Sequence, residues 1–598
     1  MSIVSSIQQS VIKTLSDLYK QSFTEKDFQV NLTKPEFEGD YTVVMFSLVK
    51  LLKQSPEAIG NKLGTALTDN YPALYQGFNI IKGFLNLSIK DGYWMTLLRE
   101  NYDNPSFGKK AANGQKVMVE YSSPNTNKPL HLGHLRNNFL GWSVAEIMKA
   151  NGFEVIKSCI VNDRGIHICK SMIAWQLFAN GGTPASTHTK GDHFVGEYYV
   201  KFNDAYKQEV TALIAAGKSK EEAEKEAPIM KATQQMLLDW EQGKPDVIAL
   251  WKTMNEWVYA GFDITYNAIG SDFDKIYYES NTYLLGKDII QQGLEKGVFV
   301  TKEDGSIWID LVEDGLDEKI VQRKDGTSVY ITQDIGLALQ KYEQYKIDQS
   351  IYVIGNEQNY HMKVLKLICQ KLGMPNADQI FHLSYGMVEL TTGKMKSREG
   401  TVVDADDIVK EMIDTARMHT EELGKVKDFN DSELKELYET IGLGAMKFYL
   451  LRVDPKKTMV FNPEESIDFH GFTGPFVQYT HARIKSILRK LAATGDEQTQ
   501  AGVIDPAVSL LKLEKEVIIA LEQYPAALEQ ACADHEPSVI ANYVFNLAKT
   551  FNSFYTEHSI ANAETPAKKQ LRIQIAGMTA NTLRNGMQLM GIRVPERM

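Results

Sequence analysis

Cysteine is scarce in this chain of 598 residues, and the four cysteines (Cys159, Cys169, Cys369 and Cys532) lie far apart. None of them forms a CxxC pair, which argues against a zinc knuckle and against a disulfide framework. Such sparse, unpaired cysteines fit a reducing compartment, so we expect a cytoplasmic protein.

Long hydrophobic runs are also missing. No apolar stretch reaches the about 18 residues that indicate a membrane-spanning helix, so we expect no membrane segment. The N-terminus, MSIVSSIQQSVIKTLSDLYK, lacks the basic and then apolar layout of a signal peptide. Its apolar residues recur every three or four positions, which predicts an amphipathic helix.

An excess of basic charge is absent, because 65 lysines and arginines face 76 aspartates and glutamates, for a net charge of −11. This balance speaks against a protein that binds polyanions over its whole surface. The C-terminal region differs, since residues 566–598 contain one acidic residue, Glu596, and several basic ones. The segment HARIKSILRK adds further basic residues at helical spacing. Each segment alone could be a solvated helix face, but the two together favour a local nucleic-acid surface.

The length exceeds what one hydrophobic core usually supports, and three domains are predicted. Residues 1–107 mix helix and strand and predict an α+β N-terminal domain. Residues 116–430 alternate strands and helices, which is typical of an α/β domain built on a Rossmann-type parallel sheet, with a charged helical insertion at about 181–261. Residues 434–598 predict an all-α C-terminal domain.

Two βαβ units are predicted within the α/β domain. The first consists of the strand KVMVEY, a helix from about Gly133 to Ala150, and the strand FEVIKSCIV. The second consists of a strand SVYIT, the helix DIGLALQKYEQY and the strand QSIYVIG, over residues 328–355. A helix and the strand IFHLSYGMV follow.

Two histidines, His131 and His134, flank Leu132 and Gly133 where the first strand gives way to a helix, in the string SSPNTNKPLHLGHLRNN. Free backbone N–H groups at a helix N-terminus favour phosphate, and Gly133 would let a nucleotide approach the backbone. Imidazole donors can meet the charge that develops on a transferring phosphate. A metal site and ordinary loop histidines are the alternatives.

A basic loop follows the last predicted strand, in the string TTGKMKSREGTVV. It carries Lys394, Lys396 and Arg398, with Ser397 between the last two. Two glycines bracket it, so it could close over a triphosphate and offset the charge between the α- and β-phosphates.

HLGH followed downstream by KMKSREG resembles the paired signatures of class I aminoacyl-tRNA synthetases. The longer string VEYSSPNTNKPLHLGHLRN resembles the arginyl-tRNA synthetase family in particular, as do VYITQDIG, QYTHARIKSILRK and the terminal GIRVPERM. The resemblance spans almost the whole chain. PEFEGDY and GFLNLSI are similar to the extra N-terminal domain with which that family contacts the tRNA elbow, and the helical C-terminal region resembles its anticodon-binding domain.

The resemblance implies that the chain attaches L-arginine to tRNA(Arg). ATP with Mg²⁺ would be the co-substrate, with no metal or organic cofactor held by the protein. The implied mechanism has two in-line steps, formation of arginyl-adenylate and then transfer to the 2′-OH of the terminal tRNA adenosine. It needs no covalent enzyme intermediate and no general base. The family is commonly monomeric, so we expect a monomer.

The implied nucleotide site has two parts. The first signature spans Pro124 to His134 and supplies Lys128, His131, Gly133 and His134. The second supplies Lys394, Lys396, Ser397 and Arg398. The usual second signature, KMSKS, has lysines in its first and fourth places, whereas Ser397 stands fourth here. Which lysine meets the phosphates therefore stays open; Lys128 fits the place of an upstream lysine thought to compensate in this family.

A guanidinium is a planar cation with five donors, so its receptor requires carboxylates and neutral acceptors. Glu120 closes the first strand, and Asp334 begins the helix after SVYIT, both at the edge where open α/β sheets bind ligands. Asp334 could instead be a helix N-cap and Glu120 a surface carboxylate. By resemblance, Glu120 and Asn125 hold the amino-acid end and Tyr330 and Asp334 the guanidinium. Ser122 and Gln358 complete the implied pocket.

Bases of a single-stranded anticodon are bound by stacking and by edge hydrogen bonds. The candidates for these contacts are Tyr479, His481, Arg483 and Arg597, although Tyr479 could belong to the core. Two other functions are considered, an adenylate-forming enzyme that needs no tRNA and a non-catalytic tRNA-binding paralogue. The extra N-terminal domain and helical C-terminal third argue against the first, and the intact HLGH, Glu120 and Asp334 against the second.

Overall fold

The computed structural model of the chain describes residues 2–283, 285–390, 403–422, 424, 429–493 and 508–598. The second signature, with Lys394, Lys396, Ser397 and Arg398, lies outside the described residues. None of the described helices is long and apolar enough to cross a lipid bilayer.

A four-stranded antiparallel sheet with flanking helices forms the N-terminal part of the chain. Its strand order is β1–β2–β4–β3. The elements are α1 (Ile3–Tyr19), β1 (Gln29–Leu32), β2 (Tyr41–Val44), α2 (Phe46–Leu52), α3 (Pro56–Asn70), β3 (Tyr75–Ile81), β4 (Phe84–Ile89) and α4 (Asp91–Asn101). The predicted amphipathic helix is confirmed as α1, because Ile3, Ile7 and Val11 recur at helical spacing and are fully buried.

Five parallel strands form the central sheet, in the order β12–β11–β5–β6–β7. The strands are β5 (Lys116–Glu120), β6 (Glu154–Val161), β7 (Lys275–Tyr278), β11 (Gln349–Gly355) and β12 (Ile380–Tyr385). The chain runs from β5 outward to β6 and β7 and then returns to β11 on the other side of β5. The strand order therefore reverses between β5 and β11, and in open α/β sheets ligands bind at the carboxyl ends of the strands at such a switch point.

The predicted strand SVYIT is wrong, because helix α14 (Tyr330–Tyr345) begins inside it with Val329 as its N-cap. Ile331, Thr332 and Ile335 are buried at helical spacing. Their packing as one helix face outweighs the strand preference of β-branched residues. Asp334 consequently lies one turn inside α14, so the N-cap alternative is also wrong.

Helices fill the segment between β6 and β7, which includes the insertion predicted at about 181–261. They are α6 (Ile166–Phe178), α7 (Pro184–Thr187), α8 (Gly191–Ala215), α9 (Lys220–Glu226), α10 (Pro228–Glu241) and α11 (Pro245–Ile269). The helical character of the insertion is therefore confirmed. Before α14 come α12 (Glu279–Thr282), α13 (Gly286–Glu295) and a small antiparallel sheet of β8 (Val300–Thr301), β9 (Ile307–Ile309) and β10 (Lys319–Gln322).

The described C-terminal region is almost wholly helical. Its elements and those just before it are α15 (Asn359–Lys371), β13 (Val388–Leu390), α16 (Ala405–Glu422), α17 (Asp431–Leu451), β14 (Met459–Phe461), α18 (Pro463–Ser466), α19 (Gly474–Ala493), α20 (Lys512–Glu522), α21 (Tyr524–Asp534), α22 (Pro537–Glu557) and α23 (Pro566–Leu589). The exception to the predicted all-helical region is β14, which pairs in parallel with β13.

Helix α5 (Leu132–Ala150) follows the first strand and packs between the sheet and the C-terminal helices. Its fully buried Arg136 donates to the carbonyl oxygens of Gly386 at 2.6 Å, Pro455 at 3.2 Å and Lys457 at 2.9 Å. Farther along the helix, the Ser143 hydroxyl donates to the Leu589 carbonyl at 2.7 Å. These bonds hold the helix that carries the HLGH histidines in one orientation.

Candidate active site

The loop that leaves β5 begins with two serines in the left-handed region, Ser122 with φ 78° and Ser123 with φ 48°. This conformation is costly for a residue other than glycine, so surrounding contacts must hold it. The Ser122 N–H donates to Asn137 Oδ1 at 2.5 Å, and its hydroxyl lies 2.7 Å from the Tyr266 hydroxyl. Helices α5 and α11 therefore fix the start of the predicted first signature.

His131 and His134 form a reciprocal cap at the start of α5. The Gly133 N–H donates to His131 Nδ1 and the His131 N–H to His134 Nδ1, both at 3.1 Å. Since Nδ1 is the acceptor in each ring, the proton of the neutral imidazole is on Nε2. Burial, followed by the charge of Lys128, lowers the pKa of His131 to about 4. Burial, and then His131 and Lys128, hold the pKa of His134 well below its usual value. Both rings are thus neutral donors near pH 7.

The expectation of free N–H groups at this helix terminus is wrong. The Gly133 N–H is taken by His131, the His134 N–H donates to the His131 carbonyl at 2.8 Å, and the Leu132 N–H donates to the Val403 carbonyl at 3.3 Å. A Cβ on Gly133 would lie 3.0 Å from His131 Cε1, so this glycine makes room for the capping ring. A phosphate here would meet imidazole and ammonium donors and the helix dipole.

A cavity of about 340 Å³ opens at the switch point between β5 and β11. Its lining includes the predicted residues Ser122, Lys128, His131, Gly133 and His134, together with Gly355 at the end of β11. Burial lowers the pKa of Lys128, which shows that its ammonium is partly shielded from water. The structure thus brings together the first-signature residues that the sequence predicted.

A second cavity, of about 240 Å³, lies beside it and shares the loop after β5. Of the predicted arginine ligands, Asn125, Tyr330 and Asp334 line it. Two residues that the sequence did not single out, Arg164 and Glu279, line it as well. Glu279 directly follows β7 and so stands at the carboxyl end of a parallel strand. This position at a strand end is the sequence signal from which Glu279 could have been predicted.

Two carboxylates, Glu279 and Asp334, and one cation, Arg164, line this second cavity. Burial is the main cause that raises the pKa of Glu279 to about 7; the Arg164 cation lowers it, and the carboxylates of Asp163 and Asp334 add to the rise. Arg164 is already engaged, since it donates to Glu241 at 3.2 Å and its guanidinium carbon lies 4.0 Å from the Tyr283 ring centroid. The two lining carboxylates, Glu279 and Asp334, therefore favour a cationic guest.

Asp334 accepts a hydrogen bond from His361 Nε2 at 2.6 Å. Tyr330, which is 75% exposed, stands one turn before Asp334 on α14. Gln358 is exposed, directly before α15, and among the described residues it lines neither cavity. Its neighbour Glu357 lines the cavity of His131 and His134, so the predicted support of the arginine pocket by Gln358 stays a prediction.

Glu120 requires a correction. It closes β5 as expected, but only 6% of it is exposed, and its carboxylate accepts a very short hydrogen bond from Lys341 Nζ of α14. Within the described part of the chain it lines neither cavity. The expected convergence of Glu120 and Asp334 on one ligand is therefore not seen, because Lys341 neutralises Glu120 from within the protein. Glu279 supplies the second carboxylate beside Asp334.

One group with metal-ligand chemistry occurs among the described residues, His193 with Asp404 and Asp406. Hydrogen bonds to the two aspartates raise the pKa of His193 to about 10, which favours the protonated ring and its pairing with the carboxylates. Lys190 Nζ already lies 2.6 Å from Asp406 Oδ2. The group is an ion-pair network.

A third cavity, of about 560 Å³, lies on α19 against the chain terminus. Its lining includes Tyr479, Arg483, Lys490, Tyr555, Arg597 and Met598. The guanidinium carbon of Arg483 lies 4.8 Å from the Tyr479 ring centroid. Cations beside aromatic rings are the usual lining of single-stranded nucleic-acid sites.

His481 does not line this cavity. It is 1% exposed, and its Nδ1 lies 3.0 Å from the Pro595 carbonyl, which holds the terminal segment against α19. The prediction that His481 reads a base is not supported, because its ring is turned to the protein interior.

Residues 97–462 match the family described as tRNA synthetases class I (R), catalytic domain. Residues 477–598 match the DALR anticodon binding domain, and residues 5–89 match the arginyl tRNA synthetase N terminal domain. Arginine–tRNA ligases of Flavobacterium psychrophilum and Bacteroides thetaiotaomicron are each 51% identical to the chain, with 100% of both sequences covered.

The fold is similar to that of solved arginyl-tRNA synthetases. The structure from Thermus thermophilus aligns with a TM-score of 0.81 at 24% identity and covers 100% of both chains. The structure from Plasmodium falciparum aligns with a TM-score of 0.78 at 17% identity, over 100% of this chain and 99% of the other. The predicted fold class, a Rossmann-type parallel sheet with an α+β N-terminal part and a helical C-terminal part, is thus confirmed.

Proposed function

The chain belongs to the class I arginyl-tRNA synthetase family, and from this premise we propose that it attaches L-arginine to tRNA(Arg) through an arginyl-adenylate. The observation that carries the proposal is a pair of cavities at the carboxyl end of the parallel sheet, one lined by Glu279 and Asp334 and the other by neutral histidines and a lysine. The loop after β5 lines both cavities, so a ligand in the cavity of Glu279 and Asp334 would lie beside a ligand in the cavity of the histidines.

Arginine binds in the acidic cavity. Its guanidinium replaces His361 as a partner of Asp334 and pairs with Glu279, which the charge brings into its ionised form. Tyr330 supplies a hydroxyl on the same side, and Asn125 supplies amide groups for the amino-acid end. Two carboxylates around a planar cation give the bidentate geometry that guanidinium favours over ammonium.

ATP, accompanied by Mg²⁺, binds in the cavity lined by Lys128, His131 and His134. The arginine carboxylate attacks the α-phosphorus, and pyrophosphate leaves. The neutral imidazoles donate from Nε2 to phosphate oxygens, and Lys128 adds a positive charge to a lining that also includes the carboxylate of Glu357. In the sequence, Lys394 and Lys396 are the further candidates for phosphate contact. The 2′-OH of the terminal adenosine then attacks the carbonyl of the adenylate, and AMP leaves.

The anticodon binds at the cavity on α19. Arg483, Arg597 and Lys490 offer charge to the phosphates, while Tyr479 offers a face for stacking. The N-terminal sheet contacts the tRNA elsewhere.

The domain limits we propose are 1–107, 116–430 and 434–598. We further propose that the protein acts as a monomer in the cytoplasm, which size-exclusion chromatography with light scattering and cell fractionation would test.

Pyrophosphate exchange into ATP tests this function. The exchange is measured with each of the standard amino acids, with and without tRNA, and charging of tRNA is followed with labelled arginine. Among the amino acids, we expect only arginine to support the exchange. We also expect labelled arginine to become attached to tRNA. Exchange that never leads to charged tRNA would identify an adenylate-forming enzyme of another kind. Binding of tRNA without any exchange would identify a non-catalytic tRNA-binding protein.

A further inference from the structure

A cluster of charged side chains joins the helical insertion to the segment after the second signature, and none of the steps above uses it. Lys190, directly before α8, donates from Nζ to Thr265 Oγ1 and Asp406 Oδ2, both at 2.6 Å. It also donates to Asp192 Oδ2 at 3.1 Å. Three acceptors satisfy all three N–H groups of the ammonium, whose side chain is 15% exposed.

His193, one turn farther on, adds a second cation to the cluster. Its Nε2 lies 3.1 Å from Asp404 Oδ2 and 3.3 Å from Asp406 Oδ2. Two cations from the insertion thus neutralise most of the charge of three carboxylates, Asp192, Asp404 and Asp406. Such a network specifies one arrangement, because removal of either cation leaves a shielded carboxylate unpaired.

The segment that the cluster holds is the backbone partner of the HLGH loop. The Ala405 N–H donates to the Leu130 carbonyl at 3.0 Å, and the Leu132 N–H donates to the Val403 carbonyl at 3.3 Å. His131 and Asp404 stand opposite each other in this short antiparallel bridge. Whatever fixes residues 403–406 therefore also fixes the loop that carries His131.

We propose that Lys190 and His193 are positioning residues for arginine activation, which hold residues 403–406 so that the HLGH loop keeps its place against the nucleotide. The proposal rests on the proposed function, since it concerns the adenylate-forming step. Lys190 and His193 touch no substrate, because they belong to neither cavity in the described residues. Their effect is on the turnover number of the activation step and leaves the arginine cavity unchanged.

Steady-state pyrophosphate exchange with the full chain and tRNA tests the proposal on Lys190→Met and on the milder His193→Gln. A displacement of the histidine loop by about 1 Å lowers kcat by roughly 10²-fold, while the KM for arginine stays within about twofold of the wild-type value. Hydrogen exchange of the segment 130–135 is measured in parallel, and we expect faster exchange at the Leu132 amide in both variants.

Lys157→Met is the matched control. Lys157 is 3% exposed in its side chain and also pairs with two carboxylates, Glu146 at 2.9 Å and Asp272 at 3.0 Å, but it contacts neither cavity. Its loss should lower stability and leave kcat near the wild-type value. If Lys190→Met and His193→Gln lower kcat no more than Lys157→Met does, or if KM for arginine rises in step with the loss of kcat, the positioning role is refuted. The wild-type exchange with arginine, measured in the same series, tests the proposed function separately.

Discussion

Two carboxylates line the cavity that we assign to arginine, Glu279 at the end of β7 and Asp334 inside α14. Only the second was predicted, because the resemblance pointed to the motif VYITQDIG and not to the short segment KIYYES. Glu120 was predicted from its place at a strand end to contact arginine, and by resemblance to hold its amino-acid end, yet its partner Lys341 lies 221 positions away in the sequence. A strand-end rule indicates which residues reach the sheet edge, but it cannot show which of them another side chain neutralises.

Arginine binding should depend on pH through Glu279, whose pKa burial raises to about 7. Below that pH the side chain is protonated and neutral, and above it the carboxylate can pair with a guanidinium. KM for arginine in pyrophosphate exchange should therefore fall as the pH rises from about 6 to about 8, one unit on either side of that pKa.

Glu279→Gln removes the titrating group and should give a higher KM for arginine that no longer changes over this range. Glu241→Gln is the control: Glu241 lies outside the cavity lining and pairs with the lining residue Arg164, so the variant removes a nearby carboxylate but keeps Glu279 and should keep the pH dependence. A profile that persists in Glu279→Gln would assign the titration to another group.

At the scale of elements, the site depends on how α14 and α5 are seated against the sheet. The parallel strands β5, β6, β11 and β12 and the helix after HLGH could be predicted, because buried apolar runs and helical spacing are local signals. The segment SVYIT was misread because strand preference and helix packing use the same β-branched residues. The difference matters for the site, because the observed helix begins at Tyr330 and places Asp334 one turn inside it.

The ion pair of Lys341 with Glu120 fixes α14 to β5, and only 2% of the lysine side chain and 7% of the glutamate side chain are exposed. Lys341→Met leaves a buried carboxylate unpaired and should lower the free energy of unfolding by about 3–5 kcal/mol. Urea unfolding followed by circular dichroism measures this loss. Lys341→Met combined with Glu120→Leu should lose less, because no charge is left unpaired.

A surface ion pair provides the comparison. In Lys302 and Glu318, 39% and 48% of the side chains are exposed, so Lys302→Met should cost no more than about 1 kcal/mol. Equal losses for Lys341→Met and Lys302→Met would mean that the buried pair does not hold α14 on the sheet.

At the scale of the whole molecule, the terminal segment connects the cavity on α19 with helix α5. The Leu589 carbonyl accepts from Ser143 of α5, and the Gly591 carbonyl accepts from Lys447 at 2.7 Å. Farther along, the Arg593 carbonyl accepts from Gln478 at 2.8 Å, and Met598 lines the cavity itself. The sequence could indicate a basic terminal region but not this path, since the path consists of backbone carbonyls.

Arg483→Ala should weaken tRNA binding through the loss of a charged group beside Tyr479. We expect Kd for tRNA to rise about 10-fold, as the loss of one stacking or phosphate contact of about 1–3 kcal/mol implies. KM for arginine and for ATP should stay unchanged. Filter binding at two salt concentrations measures the effect, and a phosphate contact would lower the salt slope by about 1.

Arg489→Ala is the matched control, because Arg489 lies on the same helix and donates to the Glu596 carbonyl at 2.7 Å without lining the cavity. If both variants weaken tRNA binding equally, the effect comes from general surface charge and the cavity on α19 is not the anticodon site.

The most direct test of the acidic cavity compares arginine with citrulline, in which a neutral urea group replaces the guanidinium. Pyrophosphate exchange gives kcat/KM for both. We predict that the wild-type protein favours arginine by roughly 10⁴-fold or more, because citrulline leaves Glu279 and Asp334 without a cation. In the double variant Glu279→Gln and Asp334→Asn the preference should shrink by at least about 10²-fold, as the loss of two charged contacts implies. An undiminished preference in the double variant would contradict the assignment of this cavity to the guanidinium.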